Sequence, residues 1–222
     1  MAESYRVGVA GLVHDHVWSM LRWWKEVDGA ELVAAADVNA PLLEKIQAET
    51  GIRSTYSSPA EMFDREELDI VLVAMENATT ADVVDIAAAK GCHVMSEKPM
   101  AATLEQADRM VEACRRGKVQ LMINWPTAWS APIQTVDRLV REGAIGPVHK
   151  VKYLAAHQGP KEIGCTPYFY EWLYDPALNG AGALMDYCCY GSDLAAHWIG
   201  RPTSVVGIMG TLVKPDFPVD DN

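Results

Sequence analysis

Lys98 stands between Glu97 and Pro99 in the stretch His93-Val94-Met95-Ser96-Glu97-Lys98-Pro99. Pro99 has no backbone N–H and disfavours the αR region for the residue before it, so the chain stays extended as it leaves a strand. A lysine delivered in this way to the carboxyl end of a strand faces the crevice where open α/β sheets bind ligands. Far downstream, Asp186-Tyr187-Cys188-Cys189-Tyr190 sets a carboxylate and a phenol four residues apart, on one face if the segment is helical. An ammonium, a carboxylate and a phenol aimed at one hydroxyl can manage its proton while a hydride leaves the carbon. A phenol works as a base near neutral pH only beside a cation, which Lys98 can supply, and Asp186 would keep Lys98 charged. Each group also has a plainer reading: Lys98 as a solvated loop lysine, Tyr190 as an aromatic packed on an amphipathic helix.

A nucleotide signal sits at the first strand-to-helix turn, Gly8-Val9-Ala10-Gly11-Leu12-Val13-His14-Asp15-His16. The dinucleotide pattern G-x-G-x-x-G gives a tight turn, close backbone approach to the pyrophosphate and close packing of helix on strand. Here Gly11 lines up, while Val13 and His16 occupy the second and third glycine places. Asp37 ends the second strand, where a carboxylate can accept from ribose hydroxyls, and it reads equally as a helix-capping or loop acid. No Arg stands among Val38, Asn39 and Ala40 to receive a 2′-phosphate, so NAD is expected rather than NADP. His14 and His16 raise a metal hypothesis, but no third ligand stands at suitable spacing, and no metal is expected.

Strand and helix patterns alternate through the first half. Strands are expected at Tyr5–Ala10, Glu31–Ala36, Asp69–Ala74, Cys92–Met95 and Val119–Ile123, and helices at His16–Val27, from Asn39 to Glu49, and at Ala81–Lys90. Ser58-Pro59-Ala60-Glu61 and Thr103-Leu104-Glu105-Gln106 are capping boxes that open two more. Further on, Ile133, Val136, Leu139 and Val140 mark a helix stopped at Gly143, and Tyr187–Trp198 reads as another. Such repeated β–α–β units predict a doubly wound parallel sheet.

Lys and Arg number 19 against 30 Asp and Glu, a net charge of −11, and no basic run interrupts it. Nucleic acid and anionic membrane are therefore not expected partners. The start of the chain lacks a signal-peptide pattern, and the five cysteines show no C-x-x-C pair, so reduced thiols and a cytoplasmic location are expected.

Gly8-x-x-Gly11, Asp37, Ala74-x-x-Asn77, Gly91 to Pro99, and Gly180-Ala181-Gly182-Ala183-Leu184-Met185-Asp186 resemble, in that order, the Gfo/Idh/MocA family, the glucose-fructose oxidoreductase and inositol dehydrogenase group. The resemblance implies a Rossmann domain binding NAD or NADP and a following α/β domain with an open sheet. It also implies hydride transfer to or from a secondary alcohol of a sugar or polyol. It places the cofactor at Gly8, Gly11, Leu12, Asp37, Asn77, Glu97 and Lys98, and catalysis at Lys98, Asp186 and Tyr190. The family commonly has His where this chain has Tyr190, although its glucose-fructose oxidoreductase branch also uses Tyr there. Members resembling this chain commonly have a cis Lys-Pro bond. For substrate, Lys98, Trp125, His157, Asp186 and Tyr190 are the candidates, and Trp125 and Trp129 either wall the pocket or merely pack. The eroded glycine loop leaves a second reading open, a non-catalytic nucleotide- or sugar-sensing regulatory protein on the same fold.

The expected division is a Rossmann domain over 1–123 and a partial substrate and oligomerisation domain over 124–222. In the latter, Val148–Ala156 and Ser204–Leu212 are the strong strand candidates. A two-stranded sheet is marginal in water, so an incomplete sheet is expected, with an apolar face from Val205, Ile208 and Leu212. The resemblance implies a longer full-length form, expected to be a homo-oligomer.

Overall fold

The computed structural model describes residues 4–222. Its first half runs β1 (Tyr5–Ala10), α1 (His16–Trp24), β2 (Ala30–Ala36), α2 (Ala40–Thr50), β3 (Ser54–Tyr56), α3 (Pro59–Arg65), β4 (Ile70–Val73), α4 (Thr80–Ala89), β5 (His93–Glu97), α5 (Leu104–Gly117) and β6 (Leu121–Asn124). The six strands form one parallel sheet in the order β3-β2-β1-β4-β5-β6. This is the doubly wound order, and its reversal between β1 and β4 opens the ligand crevice at the strands' carboxyl ends.

The apolar runs of β1 and β4 are covered on both faces, as a parallel sheet requires. One face packs Met62, Phe63, Val84, Ala87, Met110 and Cys114 against Ala10, Val71 and Val73. The other packs Val17, Met20, Leu21, Leu42 and Ile46 against Val7, Val9 and Leu72. Both capping-box starts are present as caps. Thr103 Oγ1 accepts from Gln106 N (3.3 Å) while Gln106 Oε1 accepts from Thr103 N (3.1 Å), and Ser58 Oγ accepts from Glu61 N (3.2 Å). Asn39 precedes α2 but makes no cap bond, because its amide donates to Asp37 Oδ1 instead (2.8 Å).

After β6 come a 3₁₀ turn (Pro126–Trp129), α6 (Ala131–Arg141), α7 (Pro167–Leu173), α8 (Pro176–Asn179) and α9 (Ala183–Ile199). The expected strands Val148–Ala156 and Ser204–Leu212 do not form, and among the described residues the only sheet is the Rossmann sheet. Their β-branched composition lacks a partner ladder and a covering layer, which strand propensity alone cannot replace. The apolar face is nonetheless there, with Val205, Ile208 and Leu212 exposed. Four short elements, β3, the 3₁₀ turn, α7 and α8, are not anticipated from sequence. α7 buries Phe169, Trp172 and Leu173, the i, i+3, i+4 stripe of an amphipathic helix, in the same core as α1 and α2. All five cysteines are free, and among the described residues no helix is long and apolar enough to cross a membrane.

Candidate active site

Lys98 leaves β5 through a cis peptide to Pro99, as the resemblance implied. Its side chain is buried, with the ammonium against the Asp186 carboxylate, 3.4 Å from the Asp186 carbonyl and 5.0 Å from the centre of the Tyr190 ring. Burial acts to lower the Lys98 pKa, but Asp186, aided by Tyr190, outweighs it and holds the ammonium above its ordinary range. For Tyr190, burial pushes the phenol upward; Lys98 pulls the other way, and Asp186 adds to the rise. Burial thus opposes the lowering that Lys98 was expected to supply, and the balance favours the protonated phenol.

α9 carries Asp186 and Tyr190 on one face, as their spacing required. Trp125, just beyond β6, stands edge-on to Tyr190 at 6.1 Å, Tyr190 meets Tyr187 at 6.0 Å, and Tyr187 meets His157 at 4.6 Å. Trp125 is thus beside the catalytic candidates, whereas His157 reaches them only through Tyr187. A cavity of about 360 Å³ opens on the far side of Asp186, with His157, Tyr187, Lys214 and Phe217 also on its wall.

At the dinucleotide turn, Gly11 has φ +81°, and a Cβ there would stand 2.9 Å from the Ala74 carbonyl oxygen, so the close approach needs glycine. Leu12 N donates to Asp37 Oδ2 (2.6 Å), and Asn39 N donates to Asp37 Oδ1 (2.7 Å). Asp37 therefore braces the turn, yet Oδ2 keeps a lone pair for a ribose hydroxyl. The Leu12 N–H, by contrast, is already spent. Asp15 occupies the N-cap of α1 without making a cap bond, its carboxylate turned to Thr166 N (2.7 Å) and Thr166 Oγ1 (2.6 Å). The first N–H groups of α1 are met by the turn itself: His16 N donates to His14 Nδ1 (3.3 Å), Val17 N to His14 O (3.0 Å) and Trp18 N to Asp15 O (3.4 Å).

Two other residues expected at the cofactor also make contacts within the fold. Gly8 is inside β1, where a side chain would strike Leu68, so its place is in packing. Asn77 is buried, and its amide nitrogen donates to Asn179 Oδ1 (2.7 Å) and Asn179 O (3.3 Å), tying the loop after β4 to the start of the Gly180–Asp186 motif.

Glu97 is the third group that the sequence did not bring to His14 and His16. Ligand atoms of the three lie within 4.8 Å of one another, a His₂Glu set in composition. The hydrogen bonds assign these atoms otherwise. His14 Nδ1 accepts from His16 N (3.3 Å), which puts the ring proton on Nε2, facing Lys98 O at 3.2 Å. A metal on His14 Nε2 would move that proton to Nδ1, directly against the His16 N–H. Burial, followed by His16 and Lys98, holds His14 well below the usual histidine range, so the ring is neutral. Glu97 accepts from His16 Nδ1 (3.0 Å), from Asn124 Nδ2 (2.5 Å) and from Lys98 N (3.3 Å). The cluster is a hydrogen-bonded brace between the dinucleotide turn and the lysine.

Sequence reasoning missed this brace, since Glu97 lies far from His14 in the chain and only the sheet order joins them. It also missed Asn179, whose one signal was its place directly before Gly180, and Asp220, whose carboxylate accepts from Gly182 N and Leu184 N and which had no signal.

Comparison with known proteins extends these observations. The description "Oxidoreductase family, NAD-binding Rossmann fold" (GFO_IDH_MocA) matches residues 5–125, and the family's C-terminal domain description matches residues 133–222. D-apiose dehydrogenase of Paraburkholderia graminis is 38% identical over 126 residues, 57% of this chain and 34% of its own length. Myo-inositol 2-dehydrogenase of Thermotoga maritima is 24% identical over 213 residues, 94% of this chain and 59% of its own. The crystal structure of the WlbA dehydrogenase from Bordetella pertussis, in complex with NADH and UDP-GlcNAcA, superposes with a TM-score of 0.84 at 25% identity, covering 100% of this chain and 64% of that one. The chain thus spans about one third to three fifths of the length of these curated relatives. Strand order, dinucleotide turn and lysine segment agree with the sequence matches on both sides of β6, and the chain belongs to the Gfo/Idh/MocA family of oxidoreductases with an NAD-binding Rossmann fold.

Proposed function

We propose that this chain belongs to an NAD-dependent oxidoreductase acting on a secondary alcohol of a sugar, polyol or related compound. The observation that carries the reading is the buried Lys98–Asp186 pair beneath the Tyr190 ring, at the end of the strand next to the dinucleotide crevice. A nicotinamide cofactor bound there supplies or accepts the hydride. This chain's residues manage the proton and the charge. In reduction, the Tyr190 hydroxyl donates to the carbonyl oxygen as negative charge develops on it, and the Lys98 ammonium stabilises that charge in a site from which burial excludes water. Asp186 keeps Lys98 protonated and fixes its position, while the His14–Glu97–His16 brace holds the backbone on either side of the lysine.

NAD is favoured over NADP because the Asp37 carboxylate occupies the end of β2, where it accepts from ribose hydroxyls and repels a 2′-phosphate. A sugar or polyol is favoured by the printed names of the relatives and by the polar-tipped rings of Tyr187 and His157 on the cavity wall.

The test is a fluorescence titration with NADH and with NADPH, followed by turnover across a panel of sugars and polyols. NADH binding tighter than NADPH, with turnover of at least one secondary alcohol, is expected. Tight dinucleotide binding without turnover of any panel member would overturn the catalytic reading in favour of a sensor.

A further inference from the structure

α9 carries both Asp186 and Tyr190, yet nothing in its own sequence starts it. Its N-cap is Gly182, which offers no side chain to the first-turn N–H groups. Those groups are met from far along the chain. Asp220 Oδ1 accepts from Gly182 N (2.6 Å), Asp220 Oδ2 from Leu184 N (2.7 Å), and the Asp220 carbonyl from Ala183 N (3.0 Å). A Cβ on Gly182 would collide with that same carbonyl, so the glycine makes room for the clamp. The carboxylate also lies at the positive end of a helix of 17 residues, where negative charge is stabilising.

Asp186 belongs to the turn that this clamp fixes. Its N–H donates to Gly182 O at 3.1 Å, and its carboxylate meets Lys98. Tyr190 sits a full turn later and is held separately by the rings of Trp125 and Tyr187. We propose that Asp220 is a positioning residue: by starting α9 it holds the Asp186 carboxylate against Lys98. The clamp stands on geometry alone, and its consequence for turnover rests on the oxidoreductase reading above.

Two variants test it. Asp220→Ala removes both side-chain acceptors, and Asp220→Asn keeps one. Hydrogen exchange read by mass spectrometry should show faster exchange in peptides covering 182–187 for Asp220→Ala, a smaller change for Asp220→Asn, and unchanged exchange in β1 and β4. With a substrate that the unaltered protein turns over, kcat should fall roughly 10- to 100-fold for Asp220→Ala and less for Asp220→Asn, at unchanged NADH affinity. Unaltered exchange at 182–187, or kcat equal to that of the starting protein, would overturn the proposal. So would a parallel loss of kcat and NADH affinity in both variants, since that marks a general loss of fold. If the starting protein turns over nothing, the oxidoreductase reading fails, and the exchange measurement still decides for or against the clamp.

Discussion

Lys98 and Asp186 form an ion pair largely withdrawn from water, with side chains 3% and 13% exposed. Removing one partner from such a pair leaves a buried charge without compensation, which typically costs 3–5 kcal/mol. Asp186→Ala should therefore lower unfolding free energy by about 3 kcal/mol in urea titrations. Lys98→Ala should abolish turnover while NADH binding is largely kept, because the dinucleotide turn does not depend on the lysine side chain; lost NADH binding would reassign Lys98 to the cofactor. The raised Tyr190 pKa gives a direction for pH. Reduction uses the phenol and should stay level through neutral pH. Oxidation needs the deprotonated form and should climb as pH rises above neutral, a climb that Tyr190→Phe removes together with most of kcat. Lys98 could be picked out from sequence because Pro99 dictates the local backbone. Asp37 kept two readings in sequence because the carboxylate that braces Leu12 N and Asn39 N still has a lone pair to spare. The part Asn77 plays depends on Asn179, which no local pattern brings near it.

At the scale of elements, the helix starts with capping boxes were legible because a cap is local chemistry, and Thr103 with Gln106 forms both halves of one. Thr103→Ala should cost about 1 kcal/mol, read as a lower urea midpoint at unchanged slope. β3 and α8 are too short to show a period, and α7 was hidden among rings that looked equally suited to a substrate pocket. The turn from β1 to α1 is braced by a histidine, which makes its stability depend on pH. His14 has a folded-state pKa well below its unfolded value near 6.5, so the unfolded chain takes up a proton first as pH falls. Its contribution is fully present above about pH 6.5 and is lost progressively below it. Comparing unfolding free energies at about pH 7.5 and pH 5.5, the unaltered protein should lose more than His14→Gln does. Equal losses would mean that His14 is not held neutral.

The molecule as a whole is well buried on its Rossmann side and open elsewhere. Val205, Val206, Ile208, Met209, Leu212 and Val213 are each at least 60% exposed within one stretch, and α6 buries none of its residues. The residue types of 204–212 announced a strand, but a strand is completed by its neighbours, and here the backbone of Gly210 bonds only to Asp221 and Asn222. An extended apolar segment with free backbone groups is a template for pairing with another chain. Opposing it is a net charge of −11, whose repulsion acts over a Debye length of about 8 Å at physiological salt, whereas apolar contact is insensitive to moderate salt. The 222-residue chain should therefore associate in light scattering as concentration rises, more readily at about 0.5 M salt than at about 0.05 M. Val206→Lys with Ile208→Lys should restore a monodisperse monomer and leave NADH affinity unchanged, because neither residue contributes to the core around the dinucleotide turn. A chain already monodisperse at high salt would show that the exposed stretch is not adhesive. Association that persisted in the double-lysine variant would move the contact to another surface, with α6, whose Val136 and Leu139 are also exposed, the next to be altered.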